Sequence, residues 1–119
     1  MYPHVNAETF AKEWIAVWNS HDPNAILSHY AEDVQFTSPF IVRLMNEPSG
    51  TIQGKDKLRL YFEKGLQAYP YLHFELIEVL EGVDSITLYY HSVKNLMAAE
   101  VMFLNEKGKV IRVVAHYNT

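Results

Sequence analysis

Apolar residues recur at helical spacing between Glu8 and Asn19: Phe10, Trp14, Val17 and Trp18 fall on one face of a helix. Asn6 is suited to cap its start. Asp22 then caps a second helix with Pro23 in its first turn, and Ile26, Leu27 and Tyr30 form its apolar stripe. The period drops to two where Val34, Phe36 and Ser38 alternate with Gln35 and Thr37, which predicts a strand. Pro39, Pro48 and Gly50 interrupt the next stretch, so residues 41–54 are expected as irregular strand and loop. Residues 55–69 return to helical spacing, with Leu58, Tyr61, Phe62, Leu66 and Tyr69 inward, until Pro70 ends the helix. Four strands are predicted beyond it, at 73–80, 85–93, 96–104 and 110–117. Hairpin turns join them at Gly82-Val83-Asp84, Lys94-Asn95 and Glu106-Lys107-Gly108. Helices first and a meander of strands afterwards predict an α+β fold, in one domain spanning residues 1–119.

Alternation along the strands decides which side chains meet. A two-residue turn at Lys94-Asn95 sets His91 opposite Ala98, Tyr89 opposite Glu100 and Thr87 opposite Met102. Ile86, Leu88, Tyr90, Val101 and Phe103 then share the other side. On the last strand Ile111, Val113, Ala115 and Tyr117 go together, as do Val110, Arg112, Val114 and His116. The Ile86/Leu88/Val101/Phe103 side is the more apolar, and composition alone would turn it toward the helices and leave Glu100 in water.

Composition narrows the function classes. The chain has 119 residues, enough for one core, with 49% hydrophobic and 20% charged residues, which excludes a disordered chain. Its net charge of −4 and the lack of a Lys/Arg cluster argue against a nucleic-acid partner. No apolar run approaches the ~20 residues that cross a bilayer, so no membrane partner is expected. The first residues lack a basic segment followed by an apolar one, so a cytoplasmic location is expected. With no cysteine there is no disulfide, thiolate ligand or cysteine nucleophile. No His and carboxylate spacing marks a metal site, and no cofactor is expected.

Several short segments taken together carry a resemblance. Asn19-Ser20-His21-Asp22-Pro23, Ala31-Glu32-Asp33, Ser38-Pro39 and Gly108-Lys109 resemble the nuclear-transport-factor-2-like superfamily, in its SnoaL-like and steroid delta-isomerase-like branch. The resemblance implies a cystatin-like cone: three N-terminal helices packed on a curved mixed or antiparallel sheet that encloses an apolar pocket. It also implies that the polar-decorated sheet side lines the pocket and that the apolar outer side is buried in a homodimer. Steroid isomerases use a helix-1 tyrosine, an aspartate base before a proline and a protonated aspartate on the next-to-last strand. The matching positions here are Trp14, Ser38 and Glu100. Only the last keeps its chemical role, and a serine hydroxyl is too weakly basic to shuttle a carbon-bound proton.

The candidate catalytic residues are therefore Glu100 as acid or oxyanion donor, Tyr89 as its partner and His91 as a base. Their bland alternatives are a solvated or ion-paired glutamate, a packing tyrosine and a hydrogen-bonded rim histidine. Candidate substrate-binding residues from the helices and first strand are Trp14, Trp18, Tyr30, Phe36, Ser38, Phe62 and Leu66. Those from the later strands are Phe74, Met102, Val113, Ala115 and Tyr117. Core packing competes with ligand contact for Trp14 and Trp18. The expected ligand is a small apolar molecule, cyclic or carbonyl-bearing, undergoing isomerisation, cyclisation or dehydration. A non-catalytic binding or dimerisation module and a protein-docking domain are the competing readings.

Overall fold

The computed structural model describes residues 2–118. Among them, helix α1 (Ala7–Ser20) and helix α2 (Pro23–Leu27) precede strand β1 (Tyr30–Thr37). Helix α3 (Pro39–Leu44), strand β2 (Thr51–Gln53) and helix α4 (Lys55–Ala68) come next. Strands β3 (Glu75–Glu81), β4 (Ser85–His91), β5 (Met97–Leu104) and β6 (Val110–Tyr117) complete one six-stranded sheet in the order β2-β1-β6-β5-β4-β3. All neighbours are antiparallel except β1 and β6, which are parallel, so the sheet is mixed. The helices pack on one face of it, the α+β arrangement expected from the sequence, although α4 enters only after β1 and β2.

The helix starts obey local chemistry. Asn6 Oδ1 accepts the Thr9 N–H at 2.9 Å and Asp22 Oδ1 accepts the Asn24 N–H at 3.0 Å. The segment after Ser38 departs from the expected loop. Ser38 caps α3, its Oγ accepting the Phe40 N–H at 3.2 Å, and Pro39 occupies the first turn. This cap-plus-proline signature is the same one that marks α2 at Asp22-Pro23. Tyr30 begins β1 rather than closing the stripe of α2.

Asn19 and His21 tie the end of α1 to the chain entering β3. Asn19 Oδ1 accepts the Phe74 N–H at 2.7 Å while its Nδ2 donates to the Phe74 carbonyl at 3.0 Å. His21, left-handed at φ 62°, ends the helix and sets its Nε2 2.7 Å from the Leu72 carbonyl. The Asn19-to-Pro23 segment that carries the resemblance is thus a clamp between helix and sheet.

Two local irregularities decide which side chains face inward. The β4–β5 connection is longer than a two-residue turn: Lys94 (φ 57°) and Asn95 (φ 59°) are both left-handed, and Ser92 N–H donates to the Leu96 carbonyl at 2.7 Å. His91 therefore pairs with Met97, Leu88 with Glu100 and Ile86 with Met102. That register is one residue away from the expected one, and a one-residue slip exchanges the faces of one strand relative to the other. The inner face joins Ile86, Leu88 and Tyr90 to Ala98, Glu100 and Met102. Each of the two opposed face assignments is right for one strand of the pair. A second irregularity separates Phe103↔Arg112 from Leu104↔Val110. It turns Val110 inward and Ile111 outward, the reverse of simple alternation.

Sheet edges are short or charged. β2 has three residues, and β3 carries Glu75, Glu78 and Glu81 on exposed positions. Both features oppose edge-to-edge pairing. Among the described residues no helix is long and apolar enough to cross a membrane.

Candidate functional site

Glu100 lies at the centre of β5 on the inner face and is 3% exposed. Leu88 and Ala115 flank it on β4 and β6. The Tyr90 hydroxyl donates to Glu100 Oε1 at 2.5 Å, while Oε2 is buried with no protein partner. Burial removes the carboxylate from water and pushes the Glu100 pKa up from 4.5 to about 7, against the opposing pull of the Tyr90 hydrogen bond. At neutral pH the group is therefore divided between acid and carboxylate.

Four buried tyrosine hydroxyls lie within electrostatic range of this carboxyl, and one of them, Tyr90, contacts it. Tyr30, Tyr61, Tyr90 and Tyr117 are each raised above the ordinary phenol pKa, first by burial and also by the negative charge of Glu100. All four remain neutral donors under ordinary conditions. The Trp14 indole N–H donates to the Tyr30 hydroxyl at 2.9 Å, and Tyr61 donates to Ser38 Oγ at 3.2 Å. The Tyr117 hydroxyl faces those of both Tyr90 and Ser38. Tyr117 thus stands between two hydrogen-bonded pairs, Tyr90 with Glu100 and Tyr61 with Ser38, and is hydrogen-bonded to neither.

Tyr61 and Tyr117 also line a cavity that opens between α3, α4 and the β4–β5 connection, about 390 Å³ including the space at its mouth. Its inner wall is Trp18, Phe62 and Phe74, and its outer wall is Phe40, Leu44, Tyr69 and Val93. Stacked and edge-on ring contacts hold that wall, with Trp18 at 4.7 Å from Phe62 and Phe40 at 4.7 Å from Tyr117. Trp18 Nε1 is buried without a hydrogen bond, although it leans toward the Tyr30 hydroxyl.

The candidates read from the sequence divide into three groups. Trp18, Phe62, Phe74 and Tyr117 line the cavity. Trp14, Tyr30, Phe36, Ser38, Met102, Val113 and Ala115 are buried in the layer beneath it, and Leu66 packs half-buried against the core. Tyr89 and His91 face outward: Tyr89 is 40% exposed, and His91 Nδ1 stands 3.9 Å from Glu75 Oε1 in an exposed pair. The expected partnership of Tyr89 and His91 with Glu100 is corrected by the register, which gives that place to Tyr90. Phe40 and Leu44 escape sequence reasoning because α3 does. Tyr61 and Tyr69 are legible as inward residues of α4 but not as the lining of a cavity. No group of three or more His, Asp or Glu residues among the described residues is arranged to hold a metal ion.

Helices packed on one face of a six-stranded mixed sheet, with a cavity between them, form the nuclear-transport-factor-2-like fold. Residues 11–118 match the SnoaL-like domain family, and the chain belongs to it. A SnoaL-like protein of unknown function from Burkholderia thailandensis is 42% identical, with a TM-score of 0.91 over 95% of this chain and 94% of that one. A putative isomerase of the SnoaL-like family from Agrobacterium tumefaciens is 17% identical, with a TM-score of 0.75 over 95% and 97% of the two chains. SalBIII, an epoxide hydrolase/cyclase-like enzyme in pyran ring formation in polyether salinomycin, is 16% identical, with a TM-score of 0.77 over 100% and 95%. At such identities the last two share the fold alone. Among curated proteins the chain has no match.

Proposed function

We propose that the protein binds a small apolar molecule, cyclic or carbonyl-bearing, in the aromatic cavity and acts on it by general acid chemistry, as in an isomerisation, cyclisation or dehydration. The observation that carries this reading is the buried Glu100 with its pKa near 7 and one oxygen unpaired. Such a carboxyl can hold a proton at neutral pH and release it into a dry site. Glu100 does not line the cavity, and Tyr117 is the lining hydroxyl that lies near Tyr90, the residue holding the acid. Tyr117 would donate to the substrate oxygen; to replenish its proton, protonated Glu100 would donate to Tyr90 and Tyr90 to Tyr117, the reverse of the bond in which Tyr90 donates to Glu100. The two related folds described as a putative isomerase and a cyclase-like enzyme agree with this class of chemistry.

A specific observation favours a second reading. Ser38 Oγ already accepts hydrogen bonds from the Phe40 N–H and the Tyr61 hydroxyl, so it has only its own proton to offer. The interior then holds an acid without a strong base, which also suits a binding module that performs no reaction. Turnover across a panel of enones, enol-capable lactones and β-hydroxy ketones separates the two. The acid mechanism predicts turnover of at least one class, declining above pH 7, and a roughly 10²–10⁴-fold loss in Glu100→Gln with binding retained. Binding without turnover anywhere in the panel would leave the non-catalytic module.

The outer face adds a proposal about assembly. Ile77, Leu80, Tyr89 and Ile111 are exposed there, an apolar surface that a second copy of the chain would cover. Sedimentation velocity at tens of micromolar is expected to give a dimer that Tyr89→Lys weakens. A monomer at that concentration would remove the idea.

A further inference from the structure

The mouth of the cavity carries an electrostatic feature that an apolar, neutral ligand would leave unused. Arg43, in the last turn of α3, places its guanidinium carbon 4.6 Å from the ring centre of Phe40. Lys94 places its ammonium 5.7 Å from the ring centre of Tyr69. Phe40 and Tyr69 both line the outer wall, with ring centres 6.0 Å apart. Two cations are therefore stacked on adjoining rings of the cavity wall, although neither cation itself lines the cavity.

Neither cation has a carboxylate at ion-pair distance among the described residues, and neither makes a hydrogen bond. The acid closest to α3 in sequence, Glu47, is engaged by the N–H and hydroxyl of Ser49. Arg43 is also close enough to favour ionisation of the Tyr61 hydroxyl, so its field reaches the cavity lining. Lys94 sits in a backbone conformation with φ 57° that a lysine rarely adopts, next to a second such residue, Asn95. Both residues turn the chain between β4 and β5.

The inner end of the cavity supplies a complementary requirement. Trp18 is 8% exposed and lines the cavity, and its indole N–H leans toward the Tyr30 hydroxyl without reaching it as a hydrogen bond. A buried donor left unpaired is unfavourable, so an acceptor atom on a ligand is the natural partner. The wall between the two ends is apolar and aromatic.

We infer that the ligand is an amphipathic oxo acid: a compact apolar ring whose carbonyl oxygen accepts from Trp18 Nε1, with a carboxylate held at the mouth by Arg43 and Lys94. This inference rests on the reading of the cavity as the ligand site and adds the charge and polarity of the ligand. It also sets the ligand's orientation, since the anionic end stays near water and cannot approach the buried Glu100.

The test uses three matched probes with the intact chain, monitored by tryptophan fluorescence and calorimetry. They are 4-oxo-4-phenylbutanoate, its uncharged primary amide, and 4-phenylbutanoate, which lacks the carbonyl. The acid is expected to bind about tenfold tighter than the amide at low ionic strength, a preference that shrinks with added salt. Arg43 and Lys94 are exposed, so the double variant Arg43→Gln/Lys94→Gln folds normally, and it should reduce the preference to about onefold. The oxo acid should likewise exceed 4-phenylbutanoate, and Trp18→Phe should erase that difference while keeping the charge preference. Equal binding of acid and amide overturns the inference and leaves the cavity reading intact. Failure of all three probes to bind at millimolar concentration overturns both.

Discussion

Replacing Trp14 by alanine is expected to destabilise the protein by about 3–5 kcal/mol, the range for removing a buried large aromatic side chain. Trp14 is 1% exposed and sits where helix, sheet and site meet. Its ring lies 5.9 Å from Phe74, 5.3 Å from Tyr90 and 6.0 Å from Trp18. The indole N–H also holds the Tyr30 hydroxyl. Truncation leaves a cavity among residues that cannot collapse together, because Tyr90 is fixed by Glu100 and Phe74 by Asn19. Chemical denaturation should show the loss as a lower midpoint with an unchanged slope. Trp14→Phe keeps most of the packing and should lose far less. A loss below about 1 kcal/mol for the alanine variant would mean that α1 is not seated on the sheet as described.

The second large effect is a dependence of stability on pH that belongs to one residue. An unfolded glutamate titrates near 4.5, while Glu100 in the folded chain titrates near 7. Below pH 4.5 the carboxyl is neutral in both states and folding carries no ionisation penalty. Between the two values the unfolded chain has released the proton and the folded chain still holds it, so stability falls as pH rises. Above 7 both are ionised and the loss levels off at about 3 kcal/mol. His29 slopes the other way: burial lowers its pKa, so its contribution is present at higher pH and is lost as pH falls below its ordinary value of 6.5. The Glu100 effect is therefore read as the difference between wild type and Glu100→Gln. That difference should favour the variant progressively from about pH 5 to about pH 8. A pH-independent difference would mean that the carboxyl is solvated.

The sequence made the architecture legible wherever periodicity was sustained. Phe10, Trp14 and Trp18 on α1 define the buried face without outside help, whereas alternation on β5 groups Ala98, Glu100 and Met102 but does not say which side of the strand is inward. Glu100 was visible as a charge in an apolar strand, a residue type that is rarely buried without a partner. Its partner was not visible, because the choice between Tyr89 and Tyr90 depended on the length of one turn. Lys94-Asn95 resembles a two-residue hairpin, yet the Ser92 N–H to Leu96 carbonyl bond closes a loop of three residues, Val93 to Asn95. No alternation pattern can report that extra residue. The outer wall of the cavity was hidden for a different reason. The apolar residues of α3 span barely one turn, too short for a periodic signal, and only the Ser38-Pro39 cap announces the helix. Cations stacked on the mouth rings depend on distances between α3, α4 and the β4–β5 connection, which no single stretch of sequence encodes.

The chemistry of the site turns on the proton of Glu100. The most direct measurement is a carbon-13 NMR titration of the glutamate side-chain carboxyl resonances, with Glu100 assigned by its absence in Glu100→Gln. A buried acid held by Tyr90 is predicted to titrate near 7, separated from the exposed glutamates. A midpoint near 4.5 would contradict the buried acid and, with it, the reaction proposed for the cavity.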